Sequence, residues 1–482
     1  MAAVNAQTKK KREGDISDSF ASMSGKAAEP LPDRFRELKL QLVAGHEDKV
    51  IASWKRLLGV LRTENDIISR KGPAIIPQLD FSSLEEDLSR HKAEIKKRGA
   101  AVVRGVIPED EARAYKFEIE EYVRRNPHTR GFPANNPQVI ELYWSAPQLR
   151  ARTHPSMLKV QSTLMSSLWH TPDPNSPISL RTPLSYADRL RIRQPGDAQF
   201  ALGPHQDGGS VERWEKDGYG RGGVYDALFR GEWEESYDAF DASTRVGAVT
   251  DLYNGLGACS MFRMFQGWLA MSRCGPGQGT LLVNPLVKES TVYSLLRPFF
   301  RPKKGVHQVS SRERFLDPAN WEFTAGDKMT SDLQGATPGH GQEFPDGLHP
   351  HLELERTMVH IPEVKPGDFV VWHCDTIHAV DRTHNGTSDS SVLYIPVCPT
   401  TEASAEYVAQ QRAAFLAGTP GPDFPGGIGE SQHVGRPTVE YVRGCSGPEG
   451  VQSMGLDEIV AADDDTPGGR EAVRRANKVL GF

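Results

Sequence analysis

Apolar side chains recur every three or four residues in several parts of this chain, and that spacing is typical of helices that bury one face. The clearest case runs from residue 33 to about residue 69, which is long enough for two consecutive helices. Another helix is expected after Ser82, because Ser82 followed by Glu85 has the form of a capping box. The same spacing predicts helices over residues 109–125, 158–169, 289–300, 403–416 and 470–480.

Short apolar runs and strict alternation of apolar and polar residues predict strands in the middle of the chain. The alternation is clearest at residues 185–193, where Leu190 and Ile192 fall on one face and arginines on the other. Further strands are predicted at residues 96–107, 260–272, 280–283, 369–372 and 392–395. The strands lie between helical regions, so we expect an α+β protein with a mainly β core.

Composition limits the classes of function. The chain has 482 residues, enough to bury a large core, and its 57 Lys and Arg against 63 Asp and Glu give no positive field suited to nucleic acid. The five cysteines form no CxxC pair, which favours free thiols in a reducing compartment over disulfides or a zinc site. The sequence shows neither a membrane-length apolar run nor a signal-peptide core. We therefore expect a cytoplasmic enzyme that contacts neither membrane nor nucleic acid.

The first 33 residues are polar and small, with a basic run, Lys9-Lys10-Lys11-Arg12, near their centre. A nuclear-import patch and a solvated disordered tail are both compatible with this composition, and the tail is favoured because basic tetrads are common in such ends. Residues 1–33 are accordingly expected to be dispensable for catalysis.

The segment around His205 and Asp207 is the first candidate for chemistry. Gly-Pro precedes this segment and Gly-Gly follows it. On a strand the side chains at i and i+2 share a face, so those of His205 and Asp207 would point the same way. An imidazole and a carboxylate are two of the three ligands in the 2-His-1-carboxylate triad of non-haem Fe(II) oxygenases. Such a tripeptide also arises by chance, and a polar loop with two solvated side chains is the alternative.

A second histidine of the right kind stands far downstream. After the turn at Gly367-Asp368 comes an apolar strand, and His378 then lies between Ile377 and Ala379, a setting that would keep a metal ligand dry. A core histidine bonded to a backbone carbonyl is the alternative. His384 is a rival ligand, but it lies beside a predicted hairpin turn and lacks apolar flanks.

These motifs occur in a recognisable order. His205-x-Asp207 is followed by Gly267-Trp268, by the segment from Gly277 to Pro285, by Gly367-Asp368 and by His378. The order resembles the phytanoyl-CoA-dioxygenase-like branch of the Fe(II)/2-oxoglutarate oxygenases over residues 95–400. The whole chain resembles more closely the YbiU-type proteins of bacteria and fungi, a relative of that branch.

The resemblance implies a double-stranded β-helix (jelly roll) with iron at one mouth. Fe(II) would be held by His205, Asp207 and His378, with 2-oxoglutarate and O₂ as cosubstrates. The expected organisation is a tail (1–33), N-terminal helices packing on the core (34–94), the jelly-roll domain (95–400) and a helical, Gly/Pro-rich cap (401–482). Long insertions are expected near residues 208–250 and 301–357, and they suggest a substrate enclosed on several sides.

The cosubstrate residues depart from the resembling family, which places an arginine at the start of the last strand to bind the distal carboxylate of 2-oxoglutarate. Ser390 or Ser391 stands there in this chain. A serine hydroxyl alone does not offset a buried carboxylate, so an arginine must come from elsewhere. Arg193 is the favoured clamp, Arg382 the second choice, and Ser390 an assistant.

The arginines of strand 185–193 leave two interpretations open: an exposed face in water, or a cavity wall that binds carboxylates in bidentate fashion. The resemblance implies oxidation, chiefly hydroxylation, of a small polar metabolite, and the arginines suggest an anionic one such as a sugar acid or amino acid. Two other classes remain open, a metal-binding jelly roll without oxygenase activity and a cupin-type metal hydrolase or isomerase. The sequence fixes no oligomeric state.

Overall fold

The structure is a computed structural model and describes residues 14–23 and 29–482; the basic run at residues 9–12 lies outside the described residues. Its helices are α1 (Arg34–Val43), α2 (Glu47–Lys71), α3 (Leu84–Arg98), α4 (Glu109–Arg125), α5 (Ala146–Thr153), α6 (Pro155–Leu168), α7 (Asp226–Phe229), α8 (Trp233–Ser236), α9 (Val287–Leu296), α10 (Arg312–Leu316), α11 (Leu354–Thr357), α12 (Glu402–Ala417), α13 (Val439–Cys445), α14 (Pro448–Ser453) and α15 (Pro467–Leu480).

The strands are mostly short. They are β1 (Gln78–Asp80), β2 (Ala100–Arg104), β3 (Gly131–Phe132), β4 (Val139–Ile140), β5 (Ser179–Leu184), β6 (Leu190–Arg193), β7 (His205–Gln206), β8 (Phe265–Ala270), β9 (Leu281–Val283), β10 (Phe300–Pro302), β11 (Trp321–Phe323), β12 (Gln342–Glu343), β13 (Val359–His360), β14 (Phe369–His373), β15 (His378–Val380), β16 (Ser390–Tyr394) and β17 (Cys398–Thr400).

Two larger sheets organise the described residues. One has eight strands in the order β1-β2-β14-β8-β16-β6-β4-β3, antiparallel except for the parallel pair β1–β2. The other has five strands in the order β12-β7-β15-β9-β13 and is antiparallel throughout. The chain is therefore a mixed α+β protein built on a large antiparallel sheet, the class expected from its periodicities.

A cavity lies between the two sheets. It is lined from the large sheet by residues of β6, β8, β14 and β16, and from the small sheet by residues of β7, β9 and β15. The chain crosses repeatedly between the sheets, so residues far apart in sequence meet at this cavity. Both segments predicted to carry metal ligands end up in the small sheet.

The N-terminal helices complete the main core. Trp54 of α2 is fully buried and stacks on Phe300 with ring centroids 4.3 Å apart, beside Tyr293 of α9. The third helix begins near its expected place, but the expected capping box is wrong: the Ser82 hydroxyl donates to Asp80 instead. A second hydrophobic core joins β5 and β17 to the C-terminal helices α12–α15.

The disordered tail expected for residues 1–33 is wrong for residues 14–23, which lie against the small sheet. A 3₁₀ turn, Ile16–Ser19, is capped by Asp15, and Ile16 and Phe20 are buried. Two apolar residues four positions apart give this otherwise polar stretch a buried face. The domain boundaries at residues 94, 95, 400 and 401 stay predictions. Within residues 14–23 and 29–482, no helix has both the length and the apolar character to cross a bilayer.

Candidate metal centre

The pairing of β7 with β15 places two histidines opposite each other. His378 is the register partner of His205, and the centroids of their rings are 4.1 Å apart. Asp207 follows directly after β7, where the chain turns away through Gly208 and Gly209. A side chain at Gly209 would have its Cβ 2.3 Å from a backbone oxygen and would need a left-handed φ, so the tight exit requires glycine.

The ligand atoms of the three side chains converge. Nε2 of His205 lies 3.7 Å from Oδ1 of Asp207, and Nε2 of His378 lies 3.8 Å from Oδ2. Each imidazole is oriented by its other nitrogen, because Nδ1 contacts a backbone carbonyl, Gly203 at 2.7 Å and Thr376 at 3.0 Å. A carbonyl only accepts hydrogen bonds, so Nδ1 carries the proton and Nε2 presents a free lone pair, as metal-ligating histidines do.

The carboxylate of Asp207 is fixed by neighbours outside the triad. Gln266 donates through Nε2 to Oδ2 at 2.8 Å, and Nη2 of Arg263 lies 3.4 Å from the same oxygen. Burial opposes ionisation, but the attraction of His378 and His205 in their protonated forms, together with that of Arg263, outweighs it and holds the pKa of Asp207 below its ordinary value. The residue is thus an anion that can bind a cation at neutral pH.

The imidazole of His378 is held neutral. Burial, and after it the neighbouring His205, lower its pKa to about 3 against the attraction of Asp207. A neutral imidazole is the form that binds a metal ion. The alternative of a core histidine that merely satisfies a carbonyl explains Nδ1 but leaves Nε2 facing a carboxylate and a second imidazole.

A buried ionic network supports the ligands from behind. Asp375 accepts from Arg213 at 2.8 Å and from Arg245 at 2.5 Å, and Tyr225 donates to it at 2.9 Å. Arg213 also donates to the backbone oxygen of Asp207 at 2.8 Å. The network therefore ties the segment after β7 to the loop between β14 and β15.

His373, Cys374 and Asp375 form a second cluster of possible metal ligands, but their atoms are already occupied. Nε2 of His373 contacts the Ala239 carbonyl at 2.9 Å, and its Nδ1 accepts from the Asp375 amide at 3.0 Å. The Asp375 carboxylate is neutralised by two guanidinium groups. This cluster is a structural ion network.

The triad opens into the cavity between the sheets, which has a volume of about 110 Å³. Trp268 and Trp372 contribute apolar rings to its lining. Its charged lining consists of Asp188, Arg189, Arg191, Asp207 and Arg263, together with the triad histidines. The lining therefore combines apolar rings with three guanidinium groups and two carboxylates.

Arg193 does not line this cavity, so the structure does not support its expected role as the cosubstrate clamp. Its fully buried guanidinium pairs with Asp197 at 2.8 Å and donates to the backbone oxygens of Asp381 and Arg382. Every guanidinium nitrogen of Arg193 is used within the protein. Arg382 also misses the cavity, because its side chain is exposed.

The cavity arginine on the same strand is Arg191. Its Nη2 lies 3.5 Å from the hydroxyl oxygen of Ser390, and its buried Nε has no hydrogen-bond partner among the described residues. Ser390 is buried at the start of β16 and also contacts the Gly279 carbonyl at 3.4 Å. His384 is buried elsewhere, with Nε2 2.8 Å from the Ser388 carbonyl, and is not part of the triad.

The sequence profile of the Gig2-like family matches residues 29–456. The chain belongs to the Gig2-like family. It is 30% identical over 408 residues to protein YbiU of Escherichia coli strain K12, covering 82% of this chain and 88% of YbiU. The likeness to YbiU-type proteins indicated by the motif order is thereby confirmed.

Solved structures of similar length share the fold of this Gig2-like chain. The crystal structure of the GlcNAc Inducible Gene 2 protein of Candida albicans has a TM-score of 0.80 and 33% identity, covering 95% of this chain and 96% of that one. A hypothetical protein of Escherichia coli has a TM-score of 0.73 and 29% identity, covering 91% and 100%. The overall architecture is therefore a family property.

Several residues of this Gig2-like site were not singled out from the sequence. Gln266 lies on β8 and lines the cavity, but its local sequence does not mark it as a contact of a metal ligand. Arg263 precedes that strand, and its contact with Asp207 depends on tertiary structure. Phe20 lies with its ring centroid 4.7 Å from that of His205, across 185 positions of sequence. Only its spacing from Ile16 hinted at a buried role.

Proposed function

We propose that this protein is an Fe(II)- and 2-oxoglutarate-dependent oxygenase that hydroxylates a small anionic metabolite. The observation that carries the proposal is the convergence of His205, Asp207 and His378, whose ligand atoms all lie within 4.8 Å of one another. Two imidazoles and one carboxylate, with space beside them for further ligands, are the donor set of non-haem Fe(II) oxygenases. Their hydrogen-bonded Nδ1 atoms and ionised carboxylate fit such a metal ion.

The strand order supports a jelly roll as the underlying fold. From β6 to β9 the chain alternates between the large and the small sheet, and it does so again from β13 to β16. Alternation between two packed antiparallel sheets is the connectivity of a double-sheet jelly roll. In this arrangement β7 and β15 are neighbours, which is what brings the two histidines together.

The protein's own residues would hold and orient the metal ion. His205 and His378 supply neutral nitrogens, Asp207 supplies the anionic oxygen, and Gln266 keeps that carboxylate in place. Bound there with 2-oxoglutarate and O₂, iron supplies an oxidant strong enough for an unactivated C–H bond. Trp268 and Trp372 would exclude water from the chamber.

Arg191 is the residue that fits the distal carboxylate of 2-oxoglutarate. Its Nε is buried without a partner, which is costly unless a ligand supplies an acceptor. A guanidinium binds a carboxylate in bidentate fashion. Ser390 does not line the cavity, but its hydroxyl oxygen accepts from Nη2 of Arg191 at 3.5 Å and would help to hold the guanidinium in place. The arginine would thus come from β6, next to β16, rather than from β16 itself.

The charges of the chamber favour an anionic substrate. Arg189, Arg191 and Arg263 line it together with the carboxylates of Asp188 and Asp207. A divalent metal ion and the dianion of 2-oxoglutarate balance each other, so one guanidinium is left without a counter-charge. Arg263, whose contact with Asp207 is a long 3.4 Å, is placed to bind a carboxylate of the substrate.

The test is anaerobic addition of Fe(II) and then 2-oxoglutarate, followed by O₂ and measurement of succinate. The parent protein should develop a visible charge-transfer absorption that requires both additions, and it should then form succinate. His378→Ala and Asp207→Ala should abolish both signals. His384→Ala is the matched control, since His384 is also a buried histidine but lies outside the triad.

Other outcomes point to other classes. Metal binding with 2-oxoglutarate binding but no succinate would indicate a metal-binding jelly roll without oxygenase activity. Metal binding without any affinity for 2-oxoglutarate would indicate a cupin-type hydrolase or isomerase. Full activity in His378→Ala would contradict the ligand assignment itself.

A further inference from the structure

The N-terminal segment of residues 14–23 covers one side of the metal centre. The ring of Phe20 meets the ring of His205 edge to face, at an interplanar angle of 74°. Ile16, Ser19 and Phe20 all line the same cavity as the triad. Phe20 is only 6% exposed and Ile16 only 8%, so both are covered by the protein they dock against.

Polar contacts fasten this segment to the strand next to β7. The amide of Gly341 donates to the Ser19 carbonyl at 2.9 Å, and the amide of Ser22 donates to Oε2 of Glu343 at 3.1 Å. Glu343 in β12 is in turn the register partner of His205. The segment is therefore attached to the same part of the sheet that carries the first metal ligand.

Apolar packing holds the segment as well. Ile16 and Phe20 form a small cluster of their own with Val139, Phe200 and Leu202, separate from the main core. Burial of two such side chains contributes roughly 3–6 kcal/mol. The conformational entropy lost by ordering ten residues exceeds this gain, so the polar contacts are needed as well to dock the segment. The segment is thus docked locally, and the two main cores are built without it.

The surface beneath the segment is shaped for it. A Cβ at Gly341 would lie 3.2 Å from Cε1 of Phe20 and 3.3 Å from the Gln206 backbone oxygen, and the φ of Gly341 is outside the left-handed region. Its backbone therefore does not demand glycine, but a Cβ there would press on the Phe20 ring by a few tenths of an ångström. A Cβ at Gly257, on the other side, would lie 2.4 Å from the Ser19 hydroxyl.

We propose that residues 14–23 form a wall of the substrate chamber and that the Phe20 ring limits the size of a molecule that can lie beside His205. That the chamber holds a substrate rests on the proposed function, whereas the position of residues 14–23 at its edge follows from their contacts. The segment expected to be a dispensable tail would then be a determinant of specificity. Phe20 acts by occupying space, since its ring offers neither a proton nor a metal ligand.

The first test measures access to His205 in the metal-free protein. Diethyl pyrocarbonate modifies accessible imidazoles, and the rate at His205 is followed by peptide mass spectrometry. We expect Phe20→Ala to raise that rate about fivefold or more, because it opens a buried face. Met23→Ala is the matched control, since Met23 packs on the same small cluster but does not line the cavity, and fully buried His373 is the internal reference.

The second test measures size selection at the metal. Co²⁺-loaded protein is titrated with imidazole and with benzimidazole, and the ratio of the two affinities is compared between variants. Phe20→Ala should shift the ratio towards benzimidazole by about fivefold or more, as expected when a pocket wall is removed. Deletion of residues 1–28 should act in the same direction, and Met23→Ala should not.

The outcomes separate this inference from the proposed function. An unchanged labelling rate at His205 in Phe20→Ala would show that residues 14–23 do not shield His205. Faster labelling with an unchanged ratio of imidazole to benzimidazole affinity would show that Phe20 does not limit the size of the ligand. If the parent protein binds no Co²⁺, the proposed metal centre fails, but the labelling experiment still decides whether residues 14–23 cover His205.

Discussion

Nη2 of Arg191 lies 3.5 Å from the hydroxyl oxygen of Ser390, across the antiparallel pair β6–β16. Ser390 stands at the start of the last strand, where the resembling oxygenase family has an arginine. The structure brings a guanidinium to that place from the neighbouring strand. If Arg191 is the clamp, as proposed, the departure from the family pattern is compensated by a residue on the neighbouring strand, which the order of motifs along the chain does not reveal.

Replacing Arg191 should weaken 2-oxoglutarate binding more than any change at Arg193 or Arg382. Loss of a charge-assisted bidentate contact costs about 3 kcal/mol, so Arg191→Ala should raise the Kd for 2-oxoglutarate roughly hundredfold. Arg191→Lys should raise it roughly tenfold, because an ammonium cannot bind in bidentate fashion. The measurement is titration of the Fe(II) or Co²⁺ protein with 2-oxoglutarate.

Arg382→Ala serves as the control for that series, because its side chain is exposed and away from the cavity. It should change the Kd less than about twofold. Equal affinities for 2-oxoglutarate in Arg191→Ala and in the parent would show that the clamp is another residue, with Arg189 and Arg263 the remaining cavity arginines.

Arg193 should prove important for stability. Its guanidinium and the Asp197 carboxylate are both almost fully buried and 2.8 Å apart. Arg193→Ala leaves an unpaired buried carboxylate and should lower the free energy of unfolding by about 3–5 kcal/mol, measured by urea denaturation. The double variant Arg193→Met/Asp197→Leu should recover much of that loss. A stable Arg193→Ala protein with weakened 2-oxoglutarate binding would restore the clamp role.

Gln266 should control metal affinity through Asp207. Its side-chain amide donates to Oδ2 at 2.8 Å, which orients the carboxylate towards the histidines. Gln266→Leu should lower the affinity for Fe(II) or Co²⁺ by about 10–100-fold, the usual effect of removing a partner that orients a metal ligand. Gln278→Leu on the nearby turn is the control, since Gln278 has no contact with the triad. Equal metal affinities in both variants would count against this role.

The two segments of the His-Asp-His group could be predicted from sequence because each combines a local turn with a strand. His205 and Asp207 lie where a strand passes into a glycine turn, and His378 follows a short apolar strand. Both local settings can be recognised from the amino-acid sequence. The choice of His378 over His384 also rested on local flanks. Their meeting in space depends on the pairing of β7 with β15, which the motif order only implied.

The clamp and the wall could not be predicted in the same way. Arg191 and Arg193 point to the same face of β6 and are about 7 Å apart along the strand. The alternation of polar and apolar residues does not predict which of the two lies at the cavity. Arg191 lines the cavity, whereas Arg193 lies beyond it and pairs with the buried carboxylate of Asp197. Phe20 sits in a stretch of polar composition, and its burial depends on a docking surface made by residues hundreds of positions away.

The insertion near residues 301–357 contains two buried histidines that should set the acid stability of the protein. His349 and His351 lie near Tyr293 and Trp321 and are 1% and 5% exposed. Burial, and after it the neighbouring Arg297, lower the pKa of each to about 3. Both are therefore neutral in the folded protein throughout the range in which an unfolded chain takes up protons.

The direction of the pH effect follows from that difference. Between the unfolded pKa of about 6.5 and the folded value of about 3, the unfolded chain binds more protons, so the free energy of unfolding falls as pH falls, by up to about 1.4 kcal/mol per pH unit for each histidine. His349→Gln and His351→Gln should each flatten the dependence of urea midpoint on pH between 6.5 and 4, whatever they do to stability at neutral pH. His307→Gln, at an exposed position of the same insertion, should leave the slope unchanged. Parallel curves for the parent and both buried variants would mean that other groups, such as the paired carboxylates, determine acid unfolding.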